Sequence, residues 1–202
     1  MKKVLLLTIL SVFALCASAD NASEAKKILD KTAAVVSKKS GVQANFQIGN
    51  GKIGHTSGTI AVKGSKFNAR TPQATVWFDG KTQWTYMKKT DEVNVTTPTK
   101  AQQTQMNPLT FINLYKKGYN LSLKTVDGKY EVRMQAQGKG SAIQEMYIVI
   151  DKKTYIPSQV RMRQKDAWTT VNISNFKAKS QSDATFTFNK KDFPTAEIVD
   201  LR

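Results

Sequence analysis

From Val42 almost to the end of the chain, apolar residues recur at every second position, and no other feature constrains the fold as tightly. Val42, Ala44, Phe46 and Ile48 alternate with Gln43, Asn45 and Gln47. Ile60 and Val62, Phe67 and Ala69, Trp84 and Tyr86, and Val93 and Val95 repeat the pattern. After residue 119 it resumes with Tyr119-Leu121-Leu123, Tyr130-Val132-Met134, Met146-Ile148-Ile150, Val160-Met162, Val171-Ile173 and finally Phe186-Phe188. A period of two places one side chain in two on the same face of a strand. Asn50-Gly51, Asp79-Gly80 and Asp127-Gly128 are hairpin turn pairs between such runs, and Asp151-Lys152-Lys153 is a further turn. The sequence therefore predicts roughly ten or eleven strands in a meander-type antiparallel sheet.

Before Gly41 the period is that of a helix. Ala25, Ile28, Leu29, Thr32, Ala33 and Val36 share one face, and Lys26, Lys27, Asp30 and Lys31 cover the other. A helix is predicted from Asn21 to Ser40, capped by Asn21 or Ser23 and stopped at Gly41. A second interruption follows the strand at Val93-Val95. Thr97 to Met106 is polar, and Asn107-Pro108 then has the form of a helix start. Leu109, Phe111, Ile112, Leu114 and Tyr115 wrap most of the way round that helix, and Gly118 ends it. A helix apolar on so many sides must be covered on more than one. It is either a core helix or a lid over an apolar mouth, and the pattern leaves both open.

A single sheet of that many strands curls. As a half-closed barrel it would be wider than the eight-stranded type whose interior its own side chains can fill. Phe46, Ile48, Ile60, Val62, Phe67, Met134, Met146, Ile148, Val160 and Met162 are the candidates for its inner face. With Trp84 from the hairpin and Leu109, Phe111 and Ile112 from the short helix, they form the candidate ligand-contacting set. An apolar hollow under a helical lid suits a lipid or an acyl chain. The competing architecture is a collapsed sandwich with a filled core.

The first residues read as a leader. Met1-Lys2-Lys3 is basic, Val4 to Leu15 is apolar, and Ala17-Ser18-Ala19 supplies small residues in an A-x-A arrangement. This is the form of a secretory signal peptide cleaved after Ala19, leaving residues 20–202 as one domain. The rival reading, acylation of Cys16, wants a small residue just before the cysteine and meets Leu15. Cleavage after Ala19 removes the chain's one Cys, so the exported protein would rely on packing rather than disulfides.

The chemical inventory is thin. One Cys and one His cannot build a Cys/His zinc cluster, and no metal or other cofactor is expected. Gly49-Asn50-Gly51-Lys52-Ile53-Gly54 fits G-x-G-x-x-G by letters, but a strand pattern follows where a dinucleotide site needs a helix. His55-Thr56-Ser57-Gly58 lacks the spacing of a nucleophile elbow, and His55 is expected in an exposed loop. The acidic residues form no defensible pair, so an enzyme is not expected.

The formal charge is +16, yet only five of the 31 basic residues are Arg, at positions 70, 133, 161, 163 and 202. A Lys-rich surface is more often a solubilising face than a recognition fork. For an exported chain an anionic membrane surface or an acidic protein is a better partner than nucleic acid, which is not expected.

These features together resemble the periplasmic outer-membrane lipoprotein carrier (LolA) family over essentially all of residues 20–202. Ala22-Ser23-Glu24 through Leu29-Asp30-Lys31 stands where that family has its first helix. Gly58-Thr59-Ile60-Ala61-Val62-Lys63 is similar to its G-x-L-x-V-K strand, and Asp79-Gly80-Lys81-Thr82-Gln83-Trp84-Thr85-Tyr86 to its D-G-K-T-x-W-x-Y hairpin. Asn107-Pro108-Leu109 resembles the start of the lid helix, and Phe186-Thr187-Phe188 with Val199-Asp200 the last strand and tail.

The resemblance implies a mainly β fold: an unclosed antiparallel barrel of about eleven strands, covered by short helices around an apolar cavity. It implies a periplasmic monomer that takes acylated lipoproteins from an inner-membrane ABC-type exporter and hands them to an outer-membrane acceptor. A periplasmic binding protein for another lipid or a hydrophobic small molecule is the alternative. The family's V-K is followed by an Arg that helps hold the lid shut; here Gly64 stands in its place, with Lys63, Lys66 or Arg70 as candidate substitutes. Mass spectrometry of the exported protein should find Asp20 at its N-terminus; a lipid-modified Cys16 would instead make the leader that of a lipoprotein.

Overall fold

The computed structural model describes residues 21–50, 54–99, 102–103, 114–138 and 140–202. The leader, including Cys16, lies outside them, as do residues 104–113 with Leu109, Phe111 and Ile112.

Helix α1 occupies residues 21–36 and ends one turn earlier than the sequence predicts. Gly41, at φ +109°, closes the segment that follows, and its N–H bonds to the Lys38 carbonyl at 2.9 Å. Ala25, Ile28, Leu29, Thr32 and Val36 are buried, while Lys26, Lys27, Asp30 and Lys31 are exposed, so the two helix faces fall as the spacing predicts. Asn21 does not cap the helix. Its side-chain amide donates to the Leu123 carbonyl at 3.0 Å and accepts from the Leu123 N–H at 2.7 Å, mimicking one residue of a neighbouring strand.

Twelve strands follow: β1 (Val42–Asn50), β2 (Gly54–Lys63), β3 (Lys66–Arg70), β4 (Ala74–Phe78), β5 (Gln83–Met87), β6 (Glu92–Thr96), β7 (Tyr119–Val126), β8 (Lys129–Ala136), β9 (Glu145–Ile150), β10 (Pro157–Gln164), β11 (Ala167–Ala178) and β12 (Glu197–Asp200). They form one unclosed sheet in the order β12-β6-β5-β4-β3-β2-β1-β11-β10-β9-β8-β7. Two meanders, β1–β6 and β7–β11, are joined where β1 pairs antiparallel with β11. Asp127 and Gly128 make the two-residue turn between β7 and β8, both at positive φ as a type I′ turn requires. Gly49 and Asn50 end β1 and Gly54 opens β2, so a strand follows the G-x-G-x-x-G letters where a dinucleotide site needs a helix. His55 is exposed as expected, but within β2 opposite Gly49 rather than in a loop.

The C-terminal part departs from the predicted pattern. Phe186 and Phe188 do not belong to a strand: Asp183–Phe186 is a 3-10 turn, and the last strand, β12, runs parallel to β6. The two rings alternate because they anchor in different places. Phe186 is fully buried in the turn that packs on β3 and β4, whereas Phe188 meets Trp77 edge-on at 5.6 Å. Phe193 joins it, with its ring 5.5 Å from Trp77 and 4.6 Å from Tyr86. Val76-Trp77-Phe78 reads as a continuous apolar run because this part of the sheet is covered on both faces. Asp183 fastens the segment to the β2–β3 hairpin through Lys63 and Lys66, each at 3.1 Å. The hydrogen bonds from Lys63 and Lys66 hold its carboxyl below the ordinary range.

The deepest packing lies under α1, where Leu29 meets the inner face of β8 and β9 with Val132, Met134, Met146, Ile148 and Ile150. Each such side chain contributes about 1.5–3 kcal/mol by leaving water. Tyr115 ties the helix down from the far side, its hydroxyl donating to Asp30 at 2.5 Å.

Gly58 sits opposite Phe46 with the chain of β3 pressed against it: a Cβ there would lie 2.0 Å from the Arg70 carbonyl oxygen and 2.9 Å from the Phe46 ring. Gly58→Ala should lower stability by about 1–3 kcal/mol through overpacking, measured by urea denaturation.

Candidate functional site

The concave side of the sheet encloses a cavity of about 380 Å³. It lies between the meanders, over β1, β2 and β3 on one side and β9, β10 and β11 on the other, with Val36 of α1 at its rim. Register explains the lining. Ala44 pairs with Ile60, Phe46 with Ile173, Ile48 with Val171, Val160 with both Ile148 and Val171, and Met162 with Met146. Paired residues point to the same face, so each pair adds two apolar side chains to one surface. Asn45 and Thr169 are the polar residues among those that line the cavity.

Nine of the candidate residues meet there: Phe46, Ile48, Ile60, Val62, Phe67, Met146, Ile148, Val160 and Met162. Two do not. Met134 is on the inner face but fully buried under α1, packed in the filled core that includes Ala25, Ile28 and Leu29. Trp84 pairs with Trp77, on the face opposite Phe67 and Phe78, and packs with Val93, Val95 and Ala196. Leu109, Phe111 and Ile112 lie outside the described residues, as does most of the predicted lid helix.

Val171, Ile173 and Phe176 of β11 line the cavity without having been among the candidates. Val171 and Ile173 were readable from their alternation. Phe176 was not, because it falls out of phase with Ile173. The pairing of β1 with β11 shifts between Gln43 and Asn45, and Asn175 sits there at φ +50°. A bulge inserts one residue and turns the next side chain to the other face, which brings Phe176 inside.

The residues considered as substitutes for a lid lock are engaged elsewhere. Lys63 and Lys66 hold Asp183, Lys63 also donates to the Gln181 carbonyl at 3.0 Å, and Arg70 donates to the Asn68 side chain at 2.9 Å. Gly64 is part of the tight turn joining β2 to β3, at φ +60°, with open space where a side chain would begin.

This geometry offers a preformed apolar container within the size range of small-molecule sites, about 300–1,000 Å³. Comparison with known proteins agrees with that architecture. The family profile described as outer membrane lipoprotein carrier protein LolA matches residues 15–166. The chain belongs to the LolA family. The fold of this LolA-family chain is similar to that of an uncharacterized conserved protein from Thermus thermophilus, with a TM-score of 0.59 at 14% identity, covering 88% of this chain and 99% of that one. MucB is similar with a TM-score of 0.51 at 12% identity, over 83% of this chain and 63% of that one. A LolA superfamily protein from Nitrosomonas europaea aligns with a TM-score of 0.44 at 10% identity, over 81% of this chain and 97% of that one. No curated protein sequence matches significantly. Among the described residues no helix is long and apolar enough to cross a membrane.

The division between filled core and hollow can be measured. Met134→Ala, under the helix of this LolA-family chain, should cost about 2–5 kcal/mol, whereas Ile60→Ala at the cavity wall should cost less than about 2, since its side chain already faces open space. Equal losses in urea denaturation would mean that the two sites are packed alike.

Proposed function

We propose that this protein is a periplasmic carrier that accepts acyl chains of lipoproteins into the concave apolar cavity and shuttles them from the inner to the outer membrane. The observation that carries the reading is the apolar cavity between the two meanders, walled by Phe46, Ile48, Ile60, Val160 and Met162 and left unfilled by the side chains of the described residues. Family membership supports it. In this reading residues 1–19 direct export, an inner-membrane ABC-type exporter loads the cavity, and an outer-membrane acceptor empties it.

Energetics favour a carrier over a permanent store only if opening has a cost. Burying an acyl chain gains about 0.8 kcal/mol per CH₂, so a chain of about 16 carbons would gain on the order of 12 kcal/mol before costs. Opening the predicted lid helix and displacing the polar stretch 97–106 offset part of that gain and make release possible. Met146 and Met162 suit variable cargo, because an unbranched thioether adapts to irregular gaps.

The purified protein should bind a fluorescent fatty-acyl probe saturably. Ala69→Leu, which adds bulk at the cavity wall, should weaken that binding on the order of 10-fold while leaving the fold intact by circular dichroism. Phe111→Asp or Ile112→Asp should abolish retention if the predicted lid helix covers the cargo. Absence of saturable binding, together with absence of co-purifying lipid, would overturn the carrier reading. Recovery of a different amphiphile from protein extracted from its native host would replace lipoproteins as the cargo.

A further inference from the structure

The face of β8–β11 turned away from the cavity carries a second organised feature. Three of the chain's five arginines, Arg133, Arg161 and Arg163, converge there around Tyr147, Trp168 and Glu145. Register assembles them: Arg133 and Arg161 both pair with Tyr147, and Arg163 pairs with both Glu145 and Trp168. Glu145 is nearly buried and acts as the floor. It accepts from Arg133 at 2.7 Å, from Arg163 at 3.4 Å and from the Tyr147 hydroxyl at 2.9 Å. Burial pushes the Glu145 carboxyl up, but the hydrogen bonds from Tyr147 and Arg133 and the charges of Arg133 and Arg163 outweigh it and hold it ionised below its ordinary value.

Arg161 differs from the other two. Its guanidinium lies over both the Tyr147 and the Trp168 ring, 5.4 and 5.3 Å from their centroids, the two rings being themselves in contact at 6.0 Å, and among the described residues it has no carboxylate partner. It is exposed, and so is Trp168, at 36%. The patch thus presents a held, planar cation whose N–H fork is free for an incoming carboxylate. Glu131, two residues from Arg133 on the same face, also acts on Tyr147, and two Glu against three Arg still leave the patch positive.

We propose that this outer Arg–aromatic patch is a docking surface for an acidic peptide segment of a partner protein. Its composition separates that partner from a lipid surface. Apart from Arg70 and Arg202, the rest of the basic charge is lysine dispersed over the molecule, which attracts an anionic bilayer from any side. The patch instead concentrates Arg, Tyr and Trp, the residues enriched at the centres of protein interfaces from which Lys is depleted. It lies on a strand face and offers no amphipathic helix to lay into a bilayer. Because the patch and the cavity use opposite faces of β9–β11, the proposal stands independently of what the cavity holds.

The test is fluorescence anisotropy of a fluorescein-labelled glutamate-rich peptide, titrated with the purified protein at low salt. Arg161→Lys keeps the charge but removes the stacked fork, and should weaken binding about 10-fold. Lys88→Gln with Lys89→Gln removes two exposed charges in the β5–β6 turn and should change it by less than about two-fold. Co-sedimentation with phosphatidylcholine vesicles containing phosphatidylglycerol should show no dependence on Arg161, and acyl-probe binding should be unchanged. An unchanged peptide affinity in Arg161→Lys, an equal loss in the lysine variant, or no peptide binding at all would overturn the proposal. Vesicle binding that depends on Arg161 would also overturn it and assign the patch to lipid.

Discussion

The pairing of β1 with β11 holds the molecule together. It brings Val42 beside Ala178 and Phe46 beside Ile173, residues separated by most of the chain, and turns two independent meanders into one sheet. The pairings within each meander are local, and the other distant pairing, β12 with β6, adds an edge strand without joining the meanders. A contact of that sequence separation forms only after the cost of closing a long loop has been met, so the joint should be late and slow in folding. The cavity lies along this joint, with β1 and β11 supplying walls from each meander. Binding and global stability therefore share the same strands.

Among the described residues the long helix that packs on the concave surface is α1, and that surface is wider than the helix. α1 settles over β8 and β9, where Leu29, Met134 and Ile148 pack without residual exposure. Over β1–β3 and β10–β11 the inner residues mix the short side chains of Ala44, Ala69, Val62 and Val160 with the larger ones of Phe46, Phe67 and Met162, and among the described residues they leave space between the two walls. The hollow is thus a consequence of strand count and side-chain volume rather than of any special motif. At the other end of the sheet the C-terminal segment solves the opposite problem. Phe188 and Phe193 cover the outer face of β4 and β5, where Trp77 and Tyr86 would otherwise meet water.

Much of this was legible because it rests on local rules. The helix face from Ala25 to Val36, the Asp127-Gly128 turn and the period-two runs each follow from neighbours in sequence. What escaped depends on partners far away. Asn21 has the chemistry of a helix cap, yet the unpaired backbone at edge strand β7 competes for its amide and wins. Phe186 and Phe188 have a strand's spacing, but β3–β4 and Trp77 hold them in a 3-10 turn and the loop after it. Met134 and Met146 are adjacent on paired strands and equally apolar, and only the position of α1 decides that one is core while the other also faces the cavity. Trp84 fell on the wrong face because the β4–β5 strands are buried on both sides, which erases the contrast that alternation needs.

β9, β10 and β11 satisfy two demands at once, and register makes them inseparable. Met146, Ile148, Val160, Met162 and Val171 face the cavity, while Tyr147, Arg161, Arg163 and Trp168 stand between them on the outside. A slip of one residue would exchange the faces, burying guanidiniums in an apolar hollow at a cost of several kcal/mol each. The same arginines that organise the outer patch therefore act as a guard on the inner one. The bulge at Asn175 is compatible with this because it lies beyond the patch, where β11 passes the start of β1. There it reverses the alternation once, and Phe176 reaches the cavity that Val171 and Ile173 already line.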